Sequence, residues 1–258
     1  MEQFERGLRV LDKSLQIDVQ QSHIHSNRGI ALQELKRYPL ALASFEKSLV
    51  LDPTNADTYL NQGNVFQKIG RYEEALSSFN QAIALKPDYA EAYYNCGNAY
   101  KGLKNFDAAL VCFKQALSLK ADYAEAHFNH GNVLKEFKNY RGALFCYDLA
   151  IKFKANYAAA YWNKSLVLIA MANIPLGWQF YEWRFLNNEL KNNLRNYPQP
   201  RLLNQDIQDK IILVYAEQGL GDLILFCRYI KLLADKGAKV VLEVPSDQLA
   251  SRASGGLF

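Results

Sequence analysis

The chain has little of what marks thiol, metal or membrane chemistry. Its 258 residues hold four cysteines, Cys96, Cys112, Cys146 and Cys227. None stands in a CxxC or other metal-ligand spacing, so no metal is expected and the thiols read as buried groups in a reducing compartment. No segment approaches a membrane span, and the start lacks the basic stretch and apolar run of a secretory signal. A cytoplasmic chain with no membrane partner is the expectation. Neither sign of charge dominates: the formal balance is +4, and Lys and Arg alternate with Asp and Glu. Nucleic acid is therefore not an expected partner, and the charges read as a solvated outer face. Half of the residues are hydrophobic, ample for one long domain and part of another.

What the chain does have is a period. Asparagine recurs every 34 residues at Asn27, Asn61, Asn95, Asn129 and Asn163. Gly29, Gly63, Gly97 and Gly131 keep the same step, as do Ala41, Ala75, Ala109 and Ala143, and Phe45, Phe79, Phe113 and Tyr147. Each unit reads as two apolar-periodic helices of about a dozen residues joined by a polar turn, such as 68–72 or 103–106. Small residues such as Gly63 and Ala75 let the two helices approach, and Tyr59, Leu76 and Phe79 fill the remaining space. No unit buries its apolar face alone. Stacked neighbours do so for one another, which predicts a mainly α fold, a superhelical solenoid of antiparallel helix pairs.

These units resemble the tetratricopeptide repeat (TPR) family over 22–55, 56–89, 90–123 and 124–157. In 56–89, Tyr59, Gly63, Phe66, Ala75, Phe79, Ala82 and Pro87 fall where that family places aromatic, small or proline residues. Ala121 and Ala155 replace the proline in the next two units. Residues 4–21 match only the second half of a unit. Residues 158–185 form a degenerate one, with Ser165 in place of the glycine and Pro175 near the second helix start. The solenoid is expected over 1–185.

The resemblance implies that the first helix of each unit lines a groove and that the five asparagines point into it. One turn on, Asn64, Asn98 and Asn132 share that face. With helices about 10 Å apart, five rungs span roughly 40 Å. That is the length of about a dozen residues of extended chain. An amide carries donor and acceptor, so such a ladder suits the backbone of an extended peptide or protein segment without reading its side chains. It is similar to the ladder of O-linked N-acetylglucosamine transferases. The other reading is inherited framework, satisfied by water or by neighbouring helices. Leu60, Tyr94, Phe128 and Trp162 precede the asparagines by one residue and are expected to form an apolar strip. Clamping of a terminal carboxylate, as in chaperone-binding TPR proteins, is not expected, because these positions are mostly apolar or amide.

Beyond the repeats the pattern changes. Residues 177–185, GWQFYEWRF, read as an aromatic plug, and 186–209, with Pro198 and Pro200, as a linker. In 210–258 an apolar run, the glycine turn EQGLGD, an amphipathic helix and a second run, AKVVLEV, predict a βαβ unit with a buried parallel sheet. As a dinucleotide fingerprint the turn is poor, since Ile224 stands at the third glycine position.

Residues 177–244 together resemble bacterial proteins that join TPR arrays to a glycosyltransferase-like domain related to the heptosyltransferases. The resemblance rests on AEQGLGD followed by FCRY. It implies a partial Rossmann-like unit and, in the pair Gly221 and Asp222, Asp222 as the base that deprotonates an acceptor hydroxyl. Gly219 and Gly221 themselves, in a glycine turn between a strand and a helix start, are candidate cofactor-binding positions at a possible anion site. Asp222 equally suits a helix cap. A nucleotide-sugar donor is implied for a complete enzyme and no cofactor for this chain, since two strands and a helix make a small sheet. Its exposed strand is expected to pack against the solenoid or a second copy.

Overall fold

The computed structural model describes residues 2–186, 206–215 and 228–243. Two compact units divide the chain, residues 1–184 and 185–258.

In the first unit α1 (Glu2–Ile17) is followed by five helix pairs. They are α2 (Ser22–Glu34) with α3 (Tyr38–Leu51), α4 (Ala56–Lys68) with α5 (Tyr72–Leu85), and α6 (Ala90–Gly102) with α7 (Phe106–Leu119). Then come α8 (Ala124–Glu136) with α9 (Tyr140–Phe153) and α10 (Ala158–Ala170) with α11 (Ile174–Tyr181), closed by a 3₁₀ turn at Glu182–Leu186. Each helix packs on its partner and on the next pair, so the expected mainly α solenoid is the observed one.

The pairs are held close by aromatic rings laid against glycine. A Cβ on Gly63 would stand 2.5 Å from the Phe79 ring, and one on Gly97 equally close to Phe113. Phe45, Phe79, Phe113 and Tyr147 are fully buried there. In the last pair Ser165, also fully buried, takes the glycine position. The close approach moves to the partner helix, where a Cβ on Gly177 would meet the Ile169 side chain at 2.6 Å. At the other end α1 acts as a lone second helix. Leu8 is buried with Leu32, Leu42 and Phe45, and Arg28 and Arg37 pair with Asp12 and Glu5 at 2.7 and 2.6 Å.

Every first helix stops in the same way. Lys36, Gly70, Lys104, Lys138 and Ala172, again 34 residues apart, have φ of 58°, 79°, 59°, 57° and 60°. The next N–H returns to the carbonyl five residues back, as in Asn105 N–H to Tyr100 O at 2.9 Å, which is the Schellman closure. Glycine adopts that conformation freely, yet only Gly70 supplies it.

In the second unit β1 (Ile211–Tyr215) pairs in parallel with β2 (Lys239–Glu243), with Ile211 opposite Lys239 and Tyr215 opposite Glu243. Helix α12 (Arg228–Asp235) packs on β2. The buried sheet expected from the sequence is only partly so: Ile211, Leu213 and Val241 are exposed. A single helix packs on β2, and no second layer covers the sheet among the described residues.

Replacing Lys104 or Lys138 by glycine should stabilise the chain by about 1 kcal/mol each, because a side chain in the left-handed region costs about 1–2 kcal/mol and glycine's larger unfolded-state entropy offsets part of the gain. Urea unfolding measures it; a lower midpoint for both variants would contradict the strain.

Candidate peptide-binding face

The first helices α2, α4, α6, α8 and α10 lie side by side. Their asparagines bond to one another across units. Asn95 Nδ2 donates to Asn64 Oδ1 at 2.8 Å, Asn129 Nδ2 to Asn98 Oδ1 at 3.0 Å, and Asn163 Nδ2 to Asn132 Oδ1 at 2.7 Å. The partner is always 31 residues back, one repeat less one helical turn, so the two expected asparagine rows interlock into a single ladder. Three rungs result. A fourth, from Asn61, would reach Ile30, which has no amide.

The rungs differ in what they leave free. Among the described residues Asn64 Nδ2, Asn95 Oδ1, Asn163 Oδ1 and the whole Asn61 amide make no hydrogen bond, and Asn27 is exposed and also unbonded. Asn129 is the opposite case. Its Nδ2 also donates to Tyr94 Oη at 3.0 Å, and its Oδ1 accepts from Lys101 Nζ at 2.8 Å and from Asn132 Nδ2 at 3.4 Å. Asn132 Oδ1 accepts a further bond from Tyr147 Oη at 2.9 Å. Both readings of the ladder are thus physically present: framework at Asn129 and Asn132, unspent groups at Asn61, Asn64, Asn95 and Asn163.

The expected apolar strip is uneven. Leu60 is a core residue, 4% exposed. Tyr94, Phe128 and Trp162 are half-buried, and each lies against a second aromatic: Tyr123 at 4.8 Å between centroids, Tyr157 at 4.9 Å and Tyr181 at 5.0 Å. Burial raises the Tyr94 phenol above its ordinary range, so it stays neutral, its oxygen accepting from Asn129 Nδ2. The aromatics of 177–185 pack onto α10, where the Trp183 and Phe180 rings stack on Tyr161 at 4.0 and 5.7 Å.

One row was missed. Tyr89, Tyr123 and Tyr157, one before each first helix, carry Lys86, Lys120 and Lys154 over their rings at 4.5, 4.8 and 4.6 Å. Asp57, Glu91 and Glu125 stand in the first turns of α4, α6 and α8. Tyr89 Oη donates to Asp57 at 2.6 Å, and Lys154 Nζ to Glu125 at 2.7 Å. The 34-residue step of these three rows was visible in the sequence, hidden by the ordinary look of scattered charges.

The three described thiols are held protonated by burial. Burial pushes Cys112 and Cys146 up to about 11 and Cys96 to about 12. Burial likewise depresses His130, 3.5 Å from Cys146, to about 4, so both partners are neutral. No group of three metal ligands occurs among the described residues. Nor is any described helix long and apolar enough to cross a membrane. Gly219, Gly221, Asp222 and Cys227 lie outside the described residues.

Family models for tetratricopeptide repeats match residues 22–55, 44–77, 63–104 and 90–123. Residues 22–123 are tetratricopeptide repeats. Among solved structures, the TPR unit is similar to MamA from Desulfovibrio magneticus RS-1, with 25% identity and a TM-score of 0.56, covering 60% of this chain and 87% of that one. It is also similar to pilF of Pseudomonas aeruginosa, with 21% identity and a TM-score of 0.65 over 72% and 84% of the two chains. A third is YrrB, described as a TPR protein with an unusual peptide-binding site, with 22% identity and a TM-score of 0.55 over 68% and 90%. No curated protein matches the chain.

The two roles of the TPR ladder separate under mutation. Asn132→Ala should cost about 1–3 kcal/mol, because the fully buried Tyr147 hydroxyl loses its partner. Asn27→Ala should stay within about 0.5 kcal/mol. Adding Tyr147→Phe to Asn132→Ala should recover part of the loss. Equal urea midpoints for the two single variants would show that the amide bridges hold nothing.

Proposed function

We propose that the TPR unit is a scaffold that binds extended peptide or protein segments along its first helices, with Asn61, Asn64, Asn95 and Asn163 meeting the segment's backbone. The carrying observation is the set of unspent amide groups. The ladder leaves a donor unspent on Asn64, acceptors on Asn95 and Asn163, and both kinds on Asn61, beside the half-buried Tyr94, Phe128 and Trp162. A segment's N–H and C=O are the complement of that pattern. The likeness to YrrB, whose description includes a peptide-binding site, supports the same reading.

The test is fluorescence anisotropy with labelled, unstructured peptides on the intact chain. Replacing Asn61, Asn64 and Asn163 together by alanine should weaken binding about tenfold or more, the worth of one or two hydrogen bonds. Stability should fall by the worth of the two broken rungs, about 1 kcal/mol each, with the fold retained, since Asn132 keeps its bond from Tyr147. Unchanged affinity would make the ladder framework alone.

A second reading, transfer of a sugar by a glycosyltransferase-like domain, is favoured by the parallel β1–β2 pair with α12, the arrangement such a domain begins with. In it Gly219 and Gly221 face the nucleotide-sugar and Asp222 takes the acceptor's proton. Calorimetric titration of the chain with nucleotide-sugars should then release heat that a Gly221→Val variant loses; no heat at millimolar donor would count against a donor site in this chain.

A further inference from the structure

Lys101 differs from the other cations of the solenoid in bonding to the asparagine ladder. It sits half-buried in the last turn of α6 and makes one hydrogen bond, from Nζ to Asn129 Oδ1 at 2.8 Å, on the next first helix. No carboxylate of the described residues pairs with it. Lys164, equally shielded, has Asp148 at 2.6 Å, and Arg28 has Asp12 at 2.7 Å. The end of α6 offers carbonyls to a lysine. The ammonium instead turns across to the asparagine ladder. Burial alone pulls it below the ordinary lysine range, with no nearby charge acting on it.

Its row has the same character elsewhere. One and two repeats earlier the position is held by Gln67 and Gln33, whose Oε1 atoms are buried without a hydrogen-bond partner, and one repeat later by Lys135, half-buried and likewise without a carboxylate partner among the described residues. This row therefore carries polar groups that the fold itself does not satisfy, the two glutamine oxygens being buried and the lysines only half so. An ammonium has three donors, and two of them remain on Lys101. A shielded cation of this kind is stabilised by an anion that reaches it with good geometry, and such charge-assisted bonds are the strong ones.

We infer that Lys101 is the anchor for a side-chain carboxylate, an aspartate or glutamate, on the segment bound along the ladder. The inference rests on the peptide-binding reading and names the ligand chemistry at one position. A side chain rather than a chain terminus is specified because rungs lie on both sides, Asn64 with Asn95 before and Asn132 with Asn163 after. A segment following the ladder passes over Lys101 and continues. One acidic residue among otherwise backbone-read positions would fix the register of the segment, which backbone contacts alone cannot do.

The experiment uses pools of labelled, unstructured peptides with randomised neutral flanks and a central Glu, Gln or Lys, each made with free and amidated C-termini. On the intact chain the Glu pool should bind about tenfold tighter than the Gln pool, and the advantage should shrink with added salt. Lys101→Met should abolish the difference while melting as the parent does, and Lys101→Glu should turn the preference toward the Lys pool. Equal binding of Glu and Gln pools would overturn the inference and leave the groove reading standing. A gain that follows the free terminus instead of the central Glu would overturn it as well. If no pool binds at all, the groove reading fails and takes this inference with it.

Discussion

The contact on which the rest of the solenoid depends is the aromatic ring seated against a glycine in each helix pair. Because the ring occupies the space of a missing Cβ, the two helices of a unit lie closer than any side chain would allow. That closeness is repeated at Phe45, Phe79, Phe113 and Tyr147, all fully buried. It fixes where each second helix lies, and the next first helix packs against it. The spacing between first helices is thus set from behind, by a contact that never reaches their shared surface. Where the glycine is lost, at Ser165, Gly177 restores the approach from the opposite helix. The chain keeps the geometry and exchanges the side that yields.

Short amides can bridge neighbouring first helices only because of that spacing. An asparagine reaches few ångströms, so the bonds of 2.7 to 3.0 Å between Asn64 and Asn95, Asn98 and Asn129, and Asn132 and Asn163 require a uniform separation. Their common offset of 31 residues shows that the stagger is uniform too. The ladder is accordingly a readout of the packing behind it. It also presents that packing to the surface as a regular row of donors and acceptors, at a repeat an extended chain can follow.

Much of this was legible in the sequence, for reasons that can be named. A glycine and an aromatic at fixed offsets report sterics, which act locally and recur in every unit. The left-handed turns were not legible, because lysine at 36, 104 and 138 gives no sign of positive φ; only Gly70 does. Leu60 looked like a surface residue by its phase, yet it closes the core that contains Phe79 and Ala92. Asn129, expected like the other asparagines of the row to point into the groove, is the most fully spent amide of the ladder. Periodicity shows which face a residue takes. It does not show how many of its hydrogen bonds that face has already used. Lys101 escaped notice for the same reason: its meaning depends on Asn129, 28 residues away, accepting its only bond.

The uneven spending of the amides bears on where a bound segment gains free energy. Exchanging an amide–amide bond for an amide–peptide bond is close to neutral, since one hydrogen bond replaces another. Saturated rungs such as Asn98 with Asn129 therefore hold the surface in shape and contribute little to affinity. Groups that face solvent, as on Asn61 and Asn64, give up only water, which a segment can replace while also covering apolar surface. Affinity should concentrate at the units where the ladder is incomplete, beginning where Ile30 leaves Asn61 without a partner. The saturated middle then has a different part. It supplies a stretch in which a shielded cation, Lys101, bonds to the ladder and has no counter-charge among the described residues, as Lys135 one repeat on has none either. In a groove that otherwise reads only backbone, such a group decides register, and register is what turns a general affinity for extended chain into recognition of a particular one.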